Sequence, residues 1–453
     1  MSSWKEYKLG EIATFYNGRA YKNTEFKVSG TPIVRIQNLT GEGKIVYSDL
    51  NLDENKYIDY GDLIYAWSAT FGPYIWKGEK SIYHYHIWKI ICNEELLDKK
   101  YFYYKLKQIS DNLKDSGGNG SIFVHITKAF MENFKVKIPS LNEQKRVSSI
   151  LAYLDEKIQL NTQINQTLEQ IAQTIFKSWF IDFDPVHAKA NALASGQTTE
   201  QATQAAMTVI SGKNTQELHR LQTANPEQYQ QLWEIAEAFP SGVDEEGVPR
   251  GWEQTTLSEV CSMKNGYAFK SSDWTEEGIP VIKIGSVKPM IVEVDGNGFV
   301  DEEHSVLHSE FLLTEGDIVV GLTGYVGEVG RIPQGRTAML NQRVAKFIPN
   351  KLNEQQDYYS FVYCLVRDKS FKAFAETNAK GSAQANISTK ELLNYSIILA
   401  SSEIQMKFES LIKPLLDKIL VNSGNNENLS KVRDLLLPKL LSGELNGLPE
   451  KTI

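Results

Sequence analysis

Two stretches of the chain place apolar residues at alternating steps of four and three, a pattern that predicts long helices pairing along one seam. Each stretch opens with a capping-box pattern, Ser140 with Glu143 and Ser402 with Gln405. The first helix, about 38 residues long, would span roughly 57 Å. The first seam comprises Val147, Leu151, Leu154, Ile158, Asn161, Asn165, Leu168, Ala172, Ile175 and Trp179. The second comprises Phe408, Ile412, Leu415, Ile419, Asn422, Asn426, Leu429, Arg433, Leu436 and Leu440.

The asparagines recur at the same seam positions in both helices. Asparagine in an apolar seam costs stability but specifies register, so the pattern predicts that the two helices pair with each other. Pro414 and Gly424 predict a break in the second helix. The apolar stripe of the first helix is wider than one seam, which favours docking of a partner over internal packing alone. The widening residues are Ile150, Ile164, Ile171 and Phe176.

The segments that precede the two helices are copies of one another. Trp4–Lys22 and Trp252–Lys270 align at an offset of 248, and both contain Asn-Gly followed by Ala at the same spacing. Gly61-Asp62 recurs as Gly316-Asp317, each followed by an apolar run. Short Ile-, Val- and Tyr-rich runs bounded by glycine predict strands and turns.

The chain is therefore predicted to be an α+β protein with two repeated globular domains joined and spaced by two long antiparallel coiled-coil helices, with a pseudo-two-fold relation. The connector between them is Ala/Gln-rich and predicts two helices, Thr199–Ile210 and Pro226–Phe239. The predicted segments are 1–140, domain 1; 141–183, central helix; 184–250, connector; 251–400, domain 2; and 401–445, C-terminal helix.

Composition is that of a globular protein, with 42% hydrophobic and 23% charged residues over 453 positions. No apolar run approaches a membrane span, and the first residues do not form a signal peptide. The three cysteines lie far apart, as in a protein of the reducing cytoplasm. The net charge of −8 disfavours a broad basic face. Nucleic-acid binding would need local clusters or a basic partner.

The chain contains no phosphate-binding loop and no dinucleotide-binding glycine motif. Asp182-Phe-Asp184-Pro185 resembles the acidic tetrapeptide of amino-methyltransferases but has one proline and no following aromatic residue, so a helix terminus is the preferred interpretation. His84 and His86 would share one face of a strand. Without neighbouring carboxylates or cysteines, they are interpreted as ordinary strand residues. No catalytic residue and no metal site are predicted.

Several of these stretches, in their order and duplication, resemble the specificity subunits of type I restriction-modification systems. The stretches are Trp4 to Ile12 and its copy Trp252 to Val260, Gly61 to Ile64, Ile138 to Val147, Leu168 to Lys189, and Leu429 to Leu445. The resemblance covers nearly the whole chain except the connector, whose role it leaves open.

The resemblance implies a non-catalytic subunit that recognises a bipartite, asymmetric double-stranded DNA target, one half with each globular domain. The helices would set the unread gap. They would also dock two methyltransferase subunits that use S-adenosylmethionine, and two ATP/Mg-dependent restriction subunits would complete the assembly.

Polar, basic and tyrosine residues near glycine-containing loops are the candidates for DNA contact. Arginine suits guanine, asparagine and glutamine suit adenine, and lysine and serine suit phosphate. Asn-Gly is also a turn signal, so its recurrence has a scaffold interpretation. The candidates in domain 1 are Asn17, Arg19, Lys22, Arg35, Gln37, Asn38, Ser68, Asn119 and Ser121. Those in domain 2 are Asn265, Tyr267, Lys270, Lys283, Ser286, Thr323, Tyr325, Gln342, Arg343, Lys380, Ser382 and Gln384.

Two alternatives stay open at this point. The chain could serve a fused restriction-methyltransferase polypeptide in place of separate subunits. It could also be a coiled-coil scaffold that binds protein only, which its acidity favours and its divergent loops disfavour.

Overall fold

The structure is a computed structural model that describes residues 4–41, 43–68, 71–115, 126–381 and 384–445. The chain divides into two compact units. Unit 1 comprises Met1–Ile158 and Asn428–Ile453, and unit 2 comprises Gln159–Glu427. Each unit therefore contains part of both long helices.

Unit 1 consists of short strands and helices. Its strands are β1 (Lys5–Lys8), β2 (Ala13–Asn17), β3 (Thr31–Val34), β4 (Val46–Ser48), β5 (Tyr57–Ile58), β6 (Leu63–Ala66), β7 (Gly72–Ile75), β8 (Ser81–Tyr83), β9 (Ile87–Cys92) and β10 (Lys135–Ile138). Its helices are α1 (Leu9–Ile12), α2 (Ile36–Leu39), α3 (Lys99–Asp115), α4 (Lys128–Asn133) and the first part of α5 (Leu141–Phe180), with 3-10 turns at Asn23–Glu25 and Glu54–Lys56.

Unit 2 begins in α5 and continues through the connector helices α6 (Asp184–Ala194), α7 (Thr199–Ser211), α8 (Thr215–Ala224) and α9 (Pro226–Ala238). Its strands are β11 (Glu253–Thr256), β12 (Cys261–Asn265), β13 (Ile279–Ile282), β14 (Met290–Ile291), β15 (Phe299–Val300), β16 (Leu312–Leu313), β17 (Ile318–Gly321), β18 (Val329–Arg331), β19 (Ala338–Leu340), β20 (Val344–Pro349) and β21 (Ser396–Leu399). Its remaining helices are α10 (Glu302–Leu307), α11 (Tyr359–Arg367), α12 (Lys369–Asn378), α13 (Thr389–Leu393) and the first part of α14 (Ser402–Ser442), with 3-10 turns at Leu257–Glu259, Ser271–Asp273, Ile284–Ser286 and Ser309–Phe311.

The sheets of the two units share one strand order, to which unit 2 adds β14 at the edge of its first sheet. Unit 1 has the strand orders β2-β9-β6-β7, β4-β3-β8-β5 and β1-β10. Unit 2 has β12-β20-β17-β18-β14, β15-β13-β19-β16 and β11-β21. The parallel pair β3–β8 corresponds to the parallel pair β13–β19. The α+β class and the duplication predicted from sequence are confirmed.

The repeated Gly-Asp motif immediately precedes a fully buried strand in each unit, β6 and β17. Gly61 and Gly316 adopt φ values of 87° and 82°, which favour glycine. The aspartates that follow pair with lysines of the neighbouring strands, Asp62 with Lys89 at 2.9 Å and Asp317 with Lys346 at 2.7 Å. All four residues of β6 and of β17 are buried, so these strands are continuous apolar runs without alternation.

Each core combines residues from the beginning of one long helix and the end of the other. In unit 1, Val147 and Leu151 of α5 join the same apolar cluster as Leu437, Leu440 and Leu441 of α14. In unit 2, the cluster contains the end of α5 (Phe176, Trp179, Phe180) together with the start of α14 (Ile404, Phe408, Ile412). The Phe180 and Phe408 rings meet edge to face with centroids 4.9 Å apart.

The seam asparagines pair as the sequence pattern predicted. Within unit 2, Asn161 Nδ2 donates to Asn426 Oδ1 at 2.9 Å, and Asn422 Nδ2 donates to Asn165 Oδ1 at 2.9 Å. Ascending positions on α5 meet descending positions on α14, so the helices are antiparallel there. Of the other predicted pairing residues, Leu151, Ile412 and Ile419 are buried, and Leu154, Ile158, Leu168, Leu415 and Leu429 are partly buried.

The predicted break in the C-terminal helix is wrong, because α14 is one hydrogen-bonded helix through both Pro414 and Gly424. Near the proline, Gln356 Nε2 donates to the Met406 carbonyl at 3.3 Å and to Ser410 Oγ at 3.0 Å. These bonds attach the turn before Pro414 to Gln356, although neither goes to the Ser410 carbonyl, which loses its helical donor at the proline. At Gly424 an added Cβ would lie 3.1 Å from Gln334 Cβ, so this glycine allows a close approach.

The connector contains four helices where two were predicted. Those two, α7 and α9, are confirmed, and α6 and α8 are additional. Lys189 of α6 is buried and its ammonium donates to the carbonyls of Ala236, Glu237 and Phe239 at the end of α9. These bonds place a cation on unpaired carbonyls of a helix C-terminus, a stabilising arrangement. Among the described residues, no helix is both long enough and apolar enough to cross a membrane.

We predict a coupling between the two members of the buried amide pair. Asn165→Ala and Asn422→Ala should each lower the free energy of unfolding, and the double variant should lose less than their sum by about 1 kcal/mol, because either change removes the shared hydrogen bond. Urea unfolding of the four proteins measures this. Asn165→Ala with Asn353→Ala, which share no hydrogen bond, is the additive control; additivity in the test pair would contradict the prediction.

Glu409 predicts a pH-dependent stability. Its carboxylate is buried and accepts the backbone N–H groups of Ser360 and Phe361, both at 2.9 Å. Burial raises its pKa to about 7, and nearby Asp357 acts in the same direction. Between its ordinary pKa and about 7, the folded chain keeps this proton while the unfolded chain releases it, so stability falls as pH rises through that window.

The variant Glu409→Gln should therefore show a smaller loss of thermal stability between pH 5 and pH 8 than the unmodified chain. Glu403→Gln, on the same helix with an exposed side chain, is the control and should retain the original pH profile. Identical profiles for Glu409→Gln and the unmodified chain would contradict the assignment.

Candidate nucleic-acid interface

The repeated Asn-Gly dipeptide lies where each unit brings three chain segments together. Gly18 N donates to the Ile87 carbonyl, and Gly266 N donates to the Val344 carbonyl, both at 3.1 Å. A Cβ added at Gly18 would lie 2.2 Å from the His84 oxygen, and one at Gly266 would lie 2.0 Å from the Asn341 oxygen. Both positions therefore require glycine, which supports the scaffold interpretation of the repeat.

The residue after each glycine makes two backbone hydrogen bonds to a turn between two strands. Arg19 N donates to the Tyr83 carbonyl, and the Arg19 carbonyl accepts from Tyr85 N, both at 3.1 Å. Tyr267 N donates to the Leu340 carbonyl, and the Tyr267 carbonyl accepts from Gln342 N, both at 2.8 Å. The turn at residues 84–86 thus corresponds to the turn at residues 341–343.

A third segment completes each cluster. Trp67 N donates to the His86 carbonyl at 3.1 Å, and Leu322 N donates to the Arg343 carbonyl at 2.8 Å. We call residues 17–19, 67–68 and 84–86 tip 1, and residues 265–267, 322–325 and 341–343 tip 2. The two tips share one backbone hydrogen-bond frame and carry different side chains.

Tip 1 is aromatic. The Trp67 ring lies 5.0 Å from the His86 ring and 6.1 Å from the Tyr85 ring, measured between centroids, and its indole N–H donates to the Tyr85 carbonyl at 2.8 Å. Tyr85 is 40% exposed. Burial lowers the pKa of His84 to about 4, with further contributions from His86 and Arg35, so its ring is neutral at pH 7.

Arg19 is the one basic side chain of tip 1, and it is held in place. Both terminal nitrogens donate to Glu25, at 3.0 and 2.6 Å, and the guanidinium lies 5.2 Å from the Tyr21 ring centroid. This bidentate pair raises the pKa of Arg19 and lowers that of Glu25. A planar guanidinium held this way keeps an oriented edge for a further acceptor.

Tip 2 is polar and more open. Gln342 and Arg343 are exposed, and Tyr325 is 67% exposed. Arg343 has a φ of 69°, a left-handed conformation that residues other than glycine seldom adopt and that is frequent at functional sites. Tyr267 stacks on the His308 ring with centroids 4.1 Å apart.

Several predicted contact residues also serve the scaffold. Ser286 is fully buried and its hydroxyl accepts the Lys283 N–H at 3.2 Å; Asn38 accepts the Arg35 N–H at 2.9 Å in the corresponding place. Thr323 is buried and donates to Asn386 Oδ1 at 2.7 Å. Ser286 and Thr323 therefore have almost no exposed surface with which to contact DNA.

The other predicted residues lie at or near the surface. Exposed ones are Asn17, Lys22, Gln37, Asn265, Lys270, Lys380 and Gln384, while Ser68 and Lys283 are partly buried. Lys380 pairs with Glu391 at 2.9 Å. Lys283 lies over the Trp274 ring at 3.9 Å. Asn119, Ser121 and Ser382 lie outside the described residues.

Sequence reasoning selected Gln342 and Arg343 but missed their counterparts. His84 and His86 were expected on one face of a strand; that prediction is wrong, because both belong to the region of the turn between β8 and β9. An alignment of the two repeats at an offset of 257, which pairs Lys89 with Lys346, places residues 84–86 opposite residues 341–343. In the described part of the chain, no cluster of three or more histidine, cysteine or carboxylate side chains could hold a metal ion.

Comparison with known proteins gives one consistent family. Residues 1–170 and 249–431 match the model of the type I restriction modification DNA specificity domain. The chain is 32% identical to the type I restriction enzyme HindI specificity subunit of Haemophilus influenzae, covering 98% of this chain and all of that protein.

More distant similarities agree with this family. The chain is 27% identical to the MjaIX specificity subunit of Methanocaldococcus jannaschii, over 76% of this chain and 68% of that one. Its fold is similar to that of the S subunit from M. genitalium, with a TM-score of 0.52, 15% identity and coverage of 100% and 97% of the two chains.

We predict that alanine at either repeated glycine disrupts its tip. Gly18→Ala and Gly266→Ala each place a methyl group against a backbone carbonyl, which should cost about 1–3 kcal/mol. Hydrogen exchange should accelerate in peptides covering residues 82–92 and 338–348, respectively. Gly285→Ala is the matched control, since a Cβ there meets nothing within 4 Å. Unchanged protection at the mutated tip would contradict the clash.

Proposed function

The chain belongs to the type I restriction-modification DNA specificity family, and from that premise we propose that it recognises a bipartite, asymmetric DNA sequence, one half with each globular domain. The observation that carries the proposal is the shared backbone frame of tips 1 and 2 with unlike side chains. A common frame presents side chains to DNA in equivalent ways, and unlike side chains select different bases.

The chemistry of each tip suggests its manner of recognition. In tip 2, Arg343 suits the O6 and N7 acceptors of guanine, and Gln342 suits adenine, in the major groove. In tip 1, the exposed ring of Tyr85 suits apolar contact with a thymine methyl group, and Arg19 suits guanine or phosphate. Lys22 and Lys270, equivalent in the two units through their backbone bonds to Glu25 and Asp273, suit phosphate contacts.

The chain's charge argues that it does not bind DNA alone. Its net charge of −8 disfavours the broad phosphate-neutralising surface that supplies most nonspecific affinity. We propose that two methyltransferase subunits, which bind S-adenosylmethionine and flip the target adenine, provide that surface. Two restriction subunits that use ATP and Mg²⁺ complete the assembly, and this chain carries out no chemistry. The paired helices set the unread gap and dock the methyltransferases.

The test is to co-express the chain with the methyltransferase encoded beside it in a methylation-free host and to map N6-methyladenine across the genome. We expect one split motif, two specified blocks around a fixed gap, that appears only when the chain is present. Methylation independent of the chain would overturn the proposal and favour a protein-binding scaffold.

We further predict that Arg343→Ala relaxes one position in one half of the motif, by roughly 5- to 150-fold in discrimination, because it removes a single base contact. The other half and the gap should stay unchanged. Arg220→Ala, an exposed arginine of the connector, is the matched control and should leave the motif intact. A uniform loss of methylation at every site would contradict a base-reading role for Arg343.

A further inference from the structure

In each unit, a tyrosine of a domain helix reaches a carboxylate of the long helices that is also paired with an arginine. In unit 2, Tyr363 of α11 donates its hydroxyl to Glu169 Oε2 of α5 at 2.8 Å. Arg367, one turn further along α11, donates to Glu169 Oε1 at 3.3 Å. Tyr363 is fully buried and Glu169 is 8% exposed, so both groups depend on this contact for hydrogen bonding.

The same tyrosine also contacts the second long helix indirectly. The Arg331 guanidinium lies over its ring, 4.3 Å from the centroid, and Arg331 Nη1 donates to the Leu416 carbonyl of α14 at 3.1 Å. Arg331 is fully buried at the end of β18. We call Tyr363, Glu169, Arg367 and Arg331 clamp 2; it connects the sheet of domain 2 to both long helices.

Unit 1 contains an arrangement of the same chemistry. Tyr104 of α3 is 3% exposed and donates to Asp155 Oδ2 of α5 at 2.7 Å. Arg433 of α14 donates to Asp155 Oδ1 at 2.7 Å. We call Tyr104, Asp155 and Arg433 clamp 1, which also joins one globular domain to both long helices.

The two tyrosines occupy equivalent positions in their helices. Tyr104 lies six residues after Asp98, and Tyr363 lies six residues after Asp357. Both aspartates accept a hydrogen bond from a backbone N–H at the start of the helix. The carboxylates are not equivalent: adding 261 to Asp155 and to Glu169 gives Leu416 and Ser430. Each unit therefore makes the same type of contact with a different partner residue, which argues that the contact itself matters. Burial raises the pKa of both tyrosines, so both hydroxyls stay protonated donors.

We infer that clamps 1 and 2 hold each globular domain at a set angle on the paired helices and so confine the unread gap of the DNA target to a single length. The inference rests on the proposed function. Successive base pairs are about 3.4 Å apart, so a domain that rocks about its helices shifts its tip along the duplex towards a neighbouring register. The tyrosines are positioning residues and do not touch DNA.

The experiment is the methylation map with Tyr363→Phe and Tyr104→Phe, which remove only the hydroxyl and keep the ring. We expect both half-site sequences to be retained, while sites whose gap differs by one base pair gain methylation at least ten-fold relative to the unmodified chain. Tyr358→Phe, beside the start of α11, removes a partly buried hydroxyl outside the clamp and should keep the single gap.

The outcomes separate the inference from its premise. If the unmodified chain directs no split motif, the proposed function fails. If it does, and both variants keep the single gap or lose methylation equally at all sites, the clamps have no role in spacing and the inference is overturned. If one variant fails to fold, the other tests the same claim in the other unit. Glu169→Gln, which retains an acceptor for Tyr363, should relax the gap less than Glu169→Ala.

Discussion

The antiparallel pairing of α5 and α14 through buried amides is the constraint on which the rest of this structure depends. An amide in an apolar seam is stable only when its polar atoms find hydrogen-bond partners, and Asn165 finds Asn422 in one register of the two helices. A slip by one heptad would bury unpaired donors, which costs more than the hydrogen bond contributes. Because both domain cores use turns of both helices, this register also determines which residues complete each core.

Each domain keeps the backbone of its tip constant and varies the side chains that this backbone carries. The backbone frame of each tip depends on glycine and on main-chain bonds, which are nearly indifferent to neighbouring side chains. Arg19 and Tyr267 therefore occupy the same place in the frame with different chemistry, as do Tyr85 and Gln342. A protein that must change its ligand without changing its fold benefits from this division.

The sequence predicted the features that follow from repetition and periodicity. The two helices, the asparagine pairs and the α+β repeats all leave patterns that survive divergence. The continuity of α14 at Pro414 was not predictable from local sequence, because the contacts of the turn that precedes the proline include Gln356, which is distant in sequence. Leu416 and Leu420 were missed because the seam pattern describes one neighbour, whereas the sheet of unit 2 covers α14 from a second side. The turn at residues 84–86 was missed because insertions between the copies change the offset from 248 to 257.

The composition of the unit 1 core has a consequence for synthesis of the chain. Leu437, Leu440 and Leu441 belong to the same cluster as Leu9 and Phe15, although they are made at the opposite end of the polypeptide. A ribosome adding 5–20 residues per second delivers them roughly 290 residues, or about 15 to 60 s, after Leu151. The first domain to emerge is therefore among the last to be completed. Until then, the apolar residues that Leu437, Leu440 and Leu441 contact in the folded chain are accessible to chaperones, or to the same helix of another nascent chain on the same messenger RNA.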